Sequence, residues 1–154
     1  MNRIKVIIFD DNDSLRDSVA MLLKESGDFA LVGAYADCLD LTNNIRNTKP
    51  DVVIMDIDMP GMNGIEAVKV IRNNFPTVQV LMFTVFDDDE KVFAAIKAGA
   101  GGYILKNAEP QNLLHAISEV YNGGAPMTPA IAKKVLHQFH DMLPEEKRDY
   151  HLSR

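Results

Sequence analysis

At 154 residues the chain is long enough for one domain with a short appendage and a real apolar core. Hydrophobic residues at 47% and charged residues at 25% are ordinary for a soluble globular protein, and no apolar run approaches the ~20 residues of a membrane span. A net charge of −6 argues against this piece holding nucleic acid by itself, and Cys38, the single cysteine, excludes an intrachain disulfide. A reducing, cytoplasmic setting fits that cysteine usage, and no secretory signal opens the chain.

Taken in order, residues 4–9 are an apolar run that reads as a buried strand and ends in Asp10 and Asp11. Asp13 or Ser14 is placed to cap a helix with Leu15, Val19, Leu22 and Leu23 at helical spacing, closed by Gly27. Residues 30–35 form a short strand, and Leu39, Leu41 and Ile45 mark a weaker helix that stops before Pro50. Residues 52–55 carry no polar break, the pattern of a strand buried on both faces of a parallel sheet, and the run ends at Asp56. Pro60, Gly61 and Gly64 force a turn, and a helix over about 64–72 buries Ile65, Val68 and Ile71.

A fourth strand over 78–83 ends at Thr84, and a helix carrying Val92, Phe93, Ala95 and Ile96 follows. A fifth strand over 101–105 ends at Lys106, and Pro110 stands at the first turn of a helix with Leu113, Leu114, Ile117, Val120 and Tyr121. Five strands alternating with five helices imply right-handed crossovers and an α/β fold with a parallel sheet between helical layers. Thr128-Pro129 then starts a further helix with the stripe Ile131, Val135, Leu136, Phe139 and Met142. That stripe is expected to pack on the preceding domain or on a domain beyond it, with a homodimer seam as the sharper alternative.

Strands in such a sheet deliver their last side chains to one carboxyl edge, where α/β proteins bind ligands. Asp10, Asp11 and Asp56 would meet there with Thr84 and Lys106. Carboxylates in close contact repel by ~4 kcal/mol per pair at an effective dielectric near 20, so such a cluster calls for a cation. Oxygen ligands without His or Cys point to Mg²⁺. Lys106 adds fixed positive charge and Thr84 a hydroxyl donor, completing a socket for an aspartyl phosphate.

The order Asp10-Asp11, then Asp56 with Met-Pro-Gly-Met-Asn-Gly over 59–64, then Thr84, then Tyr103-Ile104-Leu105-Lys106, resembles the receiver domain of bacterial two-component response regulators. The match runs from about Arg3 to Tyr121. The resemblance implies a flavodoxin-like (CheY-like) doubly wound sheet in the order 2-1-3-4-5. It implies Asp56 as phospho-acceptor, Asp11 as a Mg²⁺ ligand, Asp10 at the metal directly or through water, and the backbone carbonyl of Asp58 as a further ligand. Lys106 would pair with the phosphoryl group and Thr84 would hydrogen-bond it, with Tyr103 as the switch aromatic that turns inward. The implied phosphoryl donor is a sensor histidine kinase.

The motif Gly-Tyr-Ile-Leu-Lys-Asn-Ala over 102–108 and the stretch 123–129 resemble the LuxR/NarL-type subfamily, whose receiver precedes a DNA-binding domain. His151-Leu152-Ser153-Arg154 resembles the opening of that domain, cut off as it starts. Residues 1–124 are accordingly expected to be the receiver, and 125–154 a linker helix with the start of a truncated effector domain. DNA would be reached only through that missing part, and a homodimer on phosphorylation fits the family.

Three positions depart from the commonest receiver pattern. Asn107 replaces the frequent proline after the lysine, Val85 follows Thr84 where Ala or Gly is common, and Asp58 sets a second acid beside the site. Asp87 to Glu90 resembles a metal loop but is better read as the cap of the fourth helix. His137 and His140 share one helical face and are read as surface residues. The competing function is a haloacid-dehalogenase-type phosphatase with Asp11 as nucleophile and Asp13 as acid/base. Against it, Ser14 stands where glycine is expected, and Lys106 follows the late acidic pair instead of preceding it.

Overall fold

The computed structural model describes residues 2–144. Its strands are β1 (Ile4–Phe9), β2 (Phe29–Tyr35), β3 (Val52–Met55), β4 (Gln79–Thr84) and β5 (Gly102–Leu105). All pair in parallel in the order β2-β1-β3-β4-β5, the doubly wound order that the resemblance implies. The helices are α1 (Asp13–Ser26), α2 (Leu41–Thr48), α3 (Gly64–Asn74), α4 (Asp89–Ala98), α5 (Pro110–Tyr121) and α6 (Pro129–Asp141).

The sheet is buried on both sides. One apolar cluster unites Val6, Ile8, Val52, Ile54, Leu81 and Phe83 with Val19 and Leu23 of α1 and Leu113, Ile117 and Val120 of α5. The other unites Ile7, Phe9, Val53, Met55, Val80 and Met82 with residues of α2, α3 and α4, and with Tyr103 and Ile131. Alternate residues of each strand therefore serve opposite layers, as the two-residue period of a strand requires. Burial on this scale, at ~25 cal/mol per Å² of apolar surface, is what holds the strand ends at one edge.

Local chemistry fixes the element ends. Asn12, and neither Asp13 nor Ser14, caps α1, its side chain accepting from the Leu15 amide at 3.0 Å. The cap falls one residue early because Asp13 already takes helical geometry and pairs with Arg16. Gly27 closes α1 in the left-handed region at φ +80°, as expected. Leu39 is 80% exposed and lies ahead of α2, because Asp37 captures its amide in a turn. Asp88 caps α4 and Thr128 caps α6, with Pro110 and Pro129 in the first turns of α5 and α6.

Beyond α5 the chain returns to the sheet. The carbonyl of Pro126 accepts from the Tyr103 amide at 2.9 Å, and Met127 makes a parallel bridge with Tyr103. The free edge of β5 is thus covered, which removes an exposed template for pairing with other chains. Helix α6 then packs on α4. Ile131 is buried and Val135 half-buried against the cluster of α4, whereas Leu136, Phe139 and Met142 are exposed. The expected stripe is therefore split: Leu136 lies about 140° around the helix from Ile131, and the exposed Phe139 and Met142 follow Val135, the last α6 residue packed on the cluster. The motif at 151–154 lies outside the described residues.

Candidate functional site

Strands β1 and β3 pair through Ile8 with Ile54 and Phe9 with Met55, so their following residues, Asp10 and Asp56, emerge side by side. The Asp56 amide donates to the Phe9 carbonyl at 3.1 Å and carries the pairing one residue past the strand. One carboxylate oxygen from each of Asp10, Asp11 and Asp56 lies within 4.8 Å of the others. Asp10 and Asp56 are buried, whereas Asp11 is exposed at the mouth. Lys106 answers this charge. Its Nζ sits 2.8 Å from Asp10 Oδ2 and 3.0 Å from Asp56 Oδ2.

The remaining oxygens are satisfied from the backbone. Asp56 Oδ1 accepts from the Ile57 amide at 2.8 Å and Asp10 Oδ1 from the Asn12 amide at 2.9 Å. Arg16 donates to the Asp10 carbonyl at 2.6 Å and so ties α1 to the site. Among the described residues no buried side-chain oxygen or nitrogen lacks a partner. The buried part of the site is polar and fully bonded, which is what holds side chains in one geometry.

Electrostatics follow from that placement. Burial pushes the Asp56 carboxyl above the usual carboxylate range, and the nearby Asp10 charge adds to the rise. Hydrogen bonds from Lys106 and Thr84 pull the other way without cancelling it. Burial would lower the Lys106 ammonium, but its bonds to Asp10 and Asp56 outweigh that and hold it above its ordinary value. Three carboxylates against one ammonium leave the cluster short of positive charge, and the donors are all hard oxygen. Asp10, Asp11 and Asp56 thus fit a divalent cation such as Mg²⁺.

Thr84, at the end of β4, is fully buried, and its hydroxyl accepts from the Phe86 amide at 3.4 Å. Tyr103 is fully buried too, and its hydroxyl donates to the Phe86 carbonyl at 2.7 Å. Burial, with the charges of Asp88, Asp87 and Asp56, raises the Tyr103 phenol, so it remains a donor at any ordinary pH. Asp58 is exposed and its carboxylate lies outside the acidic cluster. Val85 is 66% exposed beside Thr84. No cis peptide bond occurs among the described residues, in keeping with Asn107 in place of proline.

Sequence reasoning missed four participants. Gly64 is required by contact, because a Cβ there would sit 1.9 Å from the Asp56 carbonyl oxygen, and its own amide donates to Ile57. Phe86 joins Thr84 to Tyr103 through main-chain atoms, which no side-chain pattern reveals. Ile57 and Arg16 likewise act through an amide and a carbonyl contact.

The profile of the response regulator receiver domain matches residues 6–118. The chain belongs to the response regulator receiver family. It is 36% identical over 137 residues to the oxygen regulatory protein NreC of Staphylococcus aureus, covering 88% of this chain and 63% of that protein. It is 30% identical over 148 residues to the transcriptional regulatory protein DegU of Brevibacillus brevis, covering 96% of this chain and again 63% of the relative. The crystal structure of a LuxR-family two-component response regulator from Aurantimonas sp. superposes with a TM-score of 0.82 at 31% identity, over 90% of this chain and 99% of that one. The receiver is therefore of the LuxR/NarL type, and it spans 63% of the length of these curated relatives. None of these similarities supports the phosphatase reading, and Asp11 and Asp13, its proposed pair, are both exposed.

Proposed function

We propose that this receiver accepts a phosphoryl group on Asp56 from a sensor histidine kinase and thereby controls a DNA-binding domain attached beyond it. The observation that carries the reading is the buried Asp56 carboxylate at the carboxyl edge of β3, bridged by Lys106 to Asp10 with the Thr84 hydroxyl beside it. In the transfer, an Asp56 oxygen forms a new P–O bond as the P–N bond of a phosphohistidine breaks. The electron pair stays on the imidazole nitrogen, which takes a proton from solvent. Lys106 and Thr84 would meet the added oxygens, with charge and a hydrogen bond respectively.

Asp10, Asp11 and Asp56, with the Asp58 backbone carbonyl, would hold Mg²⁺, which supplies positive charge against the incoming phosphoryl oxygens. The protein acts as a switch with at most self-catalysed gain and loss of phosphate, in the cytoplasm. Residues 1–124 form the receiver and 125–154 the linker helix and the start of the effector domain. Phosphorylation adds ~1.5 to 2 negative charges at one point and shifts the balance of conformations, homodimerisation included.

The test is intact-mass spectrometry after incubation with acetyl phosphate, with and without Mg²⁺, on the wild type and Asp56→Asn. A single Mg²⁺-dependent adduct that vanishes in the variant is the expected result. Labelling that persists in Asp56→Asn would move the nucleophile to Asp10 or Asp11, and no adduct in the wild type would remove the phosphoryl reading.

A further inference from the structure

Three hydrogen bonds, joined through Phe86 and Tyr103, connect Thr84 beside Asp56 to the C-terminal segment. The Thr84 hydroxyl, beside Asp56 at the end of β4, accepts from the Phe86 amide at 3.4 Å. The Phe86 carbonyl accepts from the Tyr103 hydroxyl at 2.7 Å, and the Tyr103 amide donates to the Pro126 carbonyl at 2.9 Å. A hydroxyl can donate and accept at once, so Thr84 can keep its Phe86 bond while serving an acceptor at Asp56.

Packing follows the same route. Pro126 is buried and lies so close to β5 that a Cβ on Gly102 would meet its Cγ at 2.6 Å. Met127, Ile131 and Val135 share one apolar cluster with Tyr103, Phe86, Val92 and Ile96. Lys134 of α6 pairs with Asp89 in the first turn of α4 at 3.0 Å, and Lys91 of α4 sits 4.9 Å over the Phe86 ring. The inward Tyr103 and the docked α6 are thus parts of one packed arrangement.

We propose that residues 126–135 form a strap that holds Tyr103 inward, and that strap docking and occupancy of Asp56 by a phosphoryl group reinforce each other. This rests on the phosphoryl-acceptor reading, in which Tyr103 turns inward as Thr84 serves the phosphoryl oxygens. If the phosphoryl group favours inward Tyr103, it must favour the docked strap. By linkage the docked strap favours the phosphorylated state by the same factor, and by keeping Thr84 on the phosphoryl oxygens it also lengthens the life of the adduct. The α4–β5 face is then not an open surface awaiting a partner but one whose occupant belongs to this chain. A partner that binds the face must first displace α6.

The experiment is hydrogen exchange read by mass spectrometry on the whole chain, before and after treatment with acetyl phosphate and Mg²⁺, with adduct lifetime followed on the same samples. In the wild type the α6 amides exchange more slowly once the adduct forms. Ile131→Ala, which empties a buried site in the strap and leaves the sheet intact, speeds α6 exchange by about tenfold or more and shortens the adduct lifetime. Lys134→Glu, which sets like charges at Asp89, moves both readouts the same way. An adduct that forms while α6 exchange stays unchanged or quickens would overturn the strap and leave the acceptor standing. So would variants that loosen α6 with no change in lifetime. Failure to form any adduct would instead overturn the acceptor reading, and the strap's regulatory role with it.

Discussion

The two flanks of the sheet carry similar apolar patterns but end differently. On the α1–α5 flank, Leu15, Val19, Met21, Leu22, Pro110 and Leu113 line an open groove of about 370 Å³ that also reaches Lys106. On the α4 flank, the segment from Pro126 to Val135 lies over α4 and β5, and the apolar surface is covered. One flank therefore offers an incoming protein a surface adjoining the acidic cluster, and the other has been closed by the chain itself. The difference is made by a dozen residues after Gly124, since the sheet and its helices treat both sides alike. Under the proposed phosphoryl-acceptor role of Asp56, an exposed apolar groove beside the cluster suits an input partner, and a covered face suits a controlled output.

The largest expected effect comes from the charge that both flanks depend on. Lys106→Ala removes the ammonium from between two buried carboxylates, and loss of one partner of a buried pair typically costs about 3 kcal/mol or more. Urea denaturation should show the unfolding free energy falling by that amount, and Mg²⁺ should recover part of it. Gly102→Ala comes next and acts on the covered flank alone. Its Cβ would press on the ring and carbonyl of Pro126, an overpacking worth about 1–3 kcal/mol if the strap stays in place. The strap should yield, so exchange should rise in 126–141 and stay unchanged in α1 and α5. Equal loosening of both flanks would erase the distinction between them.

Most of this architecture was legible in the sequence because burial writes itself in period. The continuous apolar runs of β1, β3 and β4 can exist only in a doubly covered sheet, and a parallel sheet must bring their last residues to one edge. Asp10, Asp11, Asp56, Thr84 and Lys106 were readable for that reason, as strand-end residues. The Asp56–Gly64 approach and the Phe86 main-chain junction were not, because main-chain contacts leave no mark in residue type. The α1 cap was misplaced by one residue because Asn12, Asp13 and Ser14 are all competent caps. Leu39 was misread because an apolar residue fits a helical pattern whether or not the backbone has started to coil. The split of the α6 stripe could not be foreseen, since which half is covered depends on where α4 lies.

A smaller effect is expected at the start of α6. Thr128 Oγ1 accepts from the Ile131 amide at 3.2 Å, and loss of such a cap costs a helix about 1 kcal/mol. Thr128→Ala should raise exchange in the first turn of α6 several-fold and leave β1 to β5 protected. Thr128→Ser should keep the wild-type pattern, because the hydroxyl does the capping. A uniform change across the sheet would mean that the strap and the receiver unfold as one unit, against the local docking described above.

The smallest expected shift is residual, because opposed contributions meet at Asp56. Burial and Asp10 raise its carboxyl pKa above the ordinary 3.8, and the Lys106 and Thr84 bonds give back part of the rise. A carboxyl raised on folding binds more protons in the native state than in the unfolded chain over the window between its two pKa values. Stability from this group is therefore greatest below 3.8 and declines as pH climbs through the raised value, so at neutral pH the ionised Asp56 destabilises the fold. Asp56→Asn removes that titration while keeping an oxygen for the Ile57 amide. Its melting temperature should exceed that of the wild type at pH 7, with the gain shrinking as pH is lowered toward 4. Lys106 does not shape the pH dependence between 4 and 7, because the stability its raised pKa brings is fully present below its ordinary 10.5 and is lost only above it. A variant less stable than the wild type at pH 7 would mean that the Lys106 bond outweighs the burial of charge. The site would then be a structural ion pair before it is a reactive one, whereas the predicted gain would mark Asp56 as a carboxylate kept at the expense of stability, as functional residues often are.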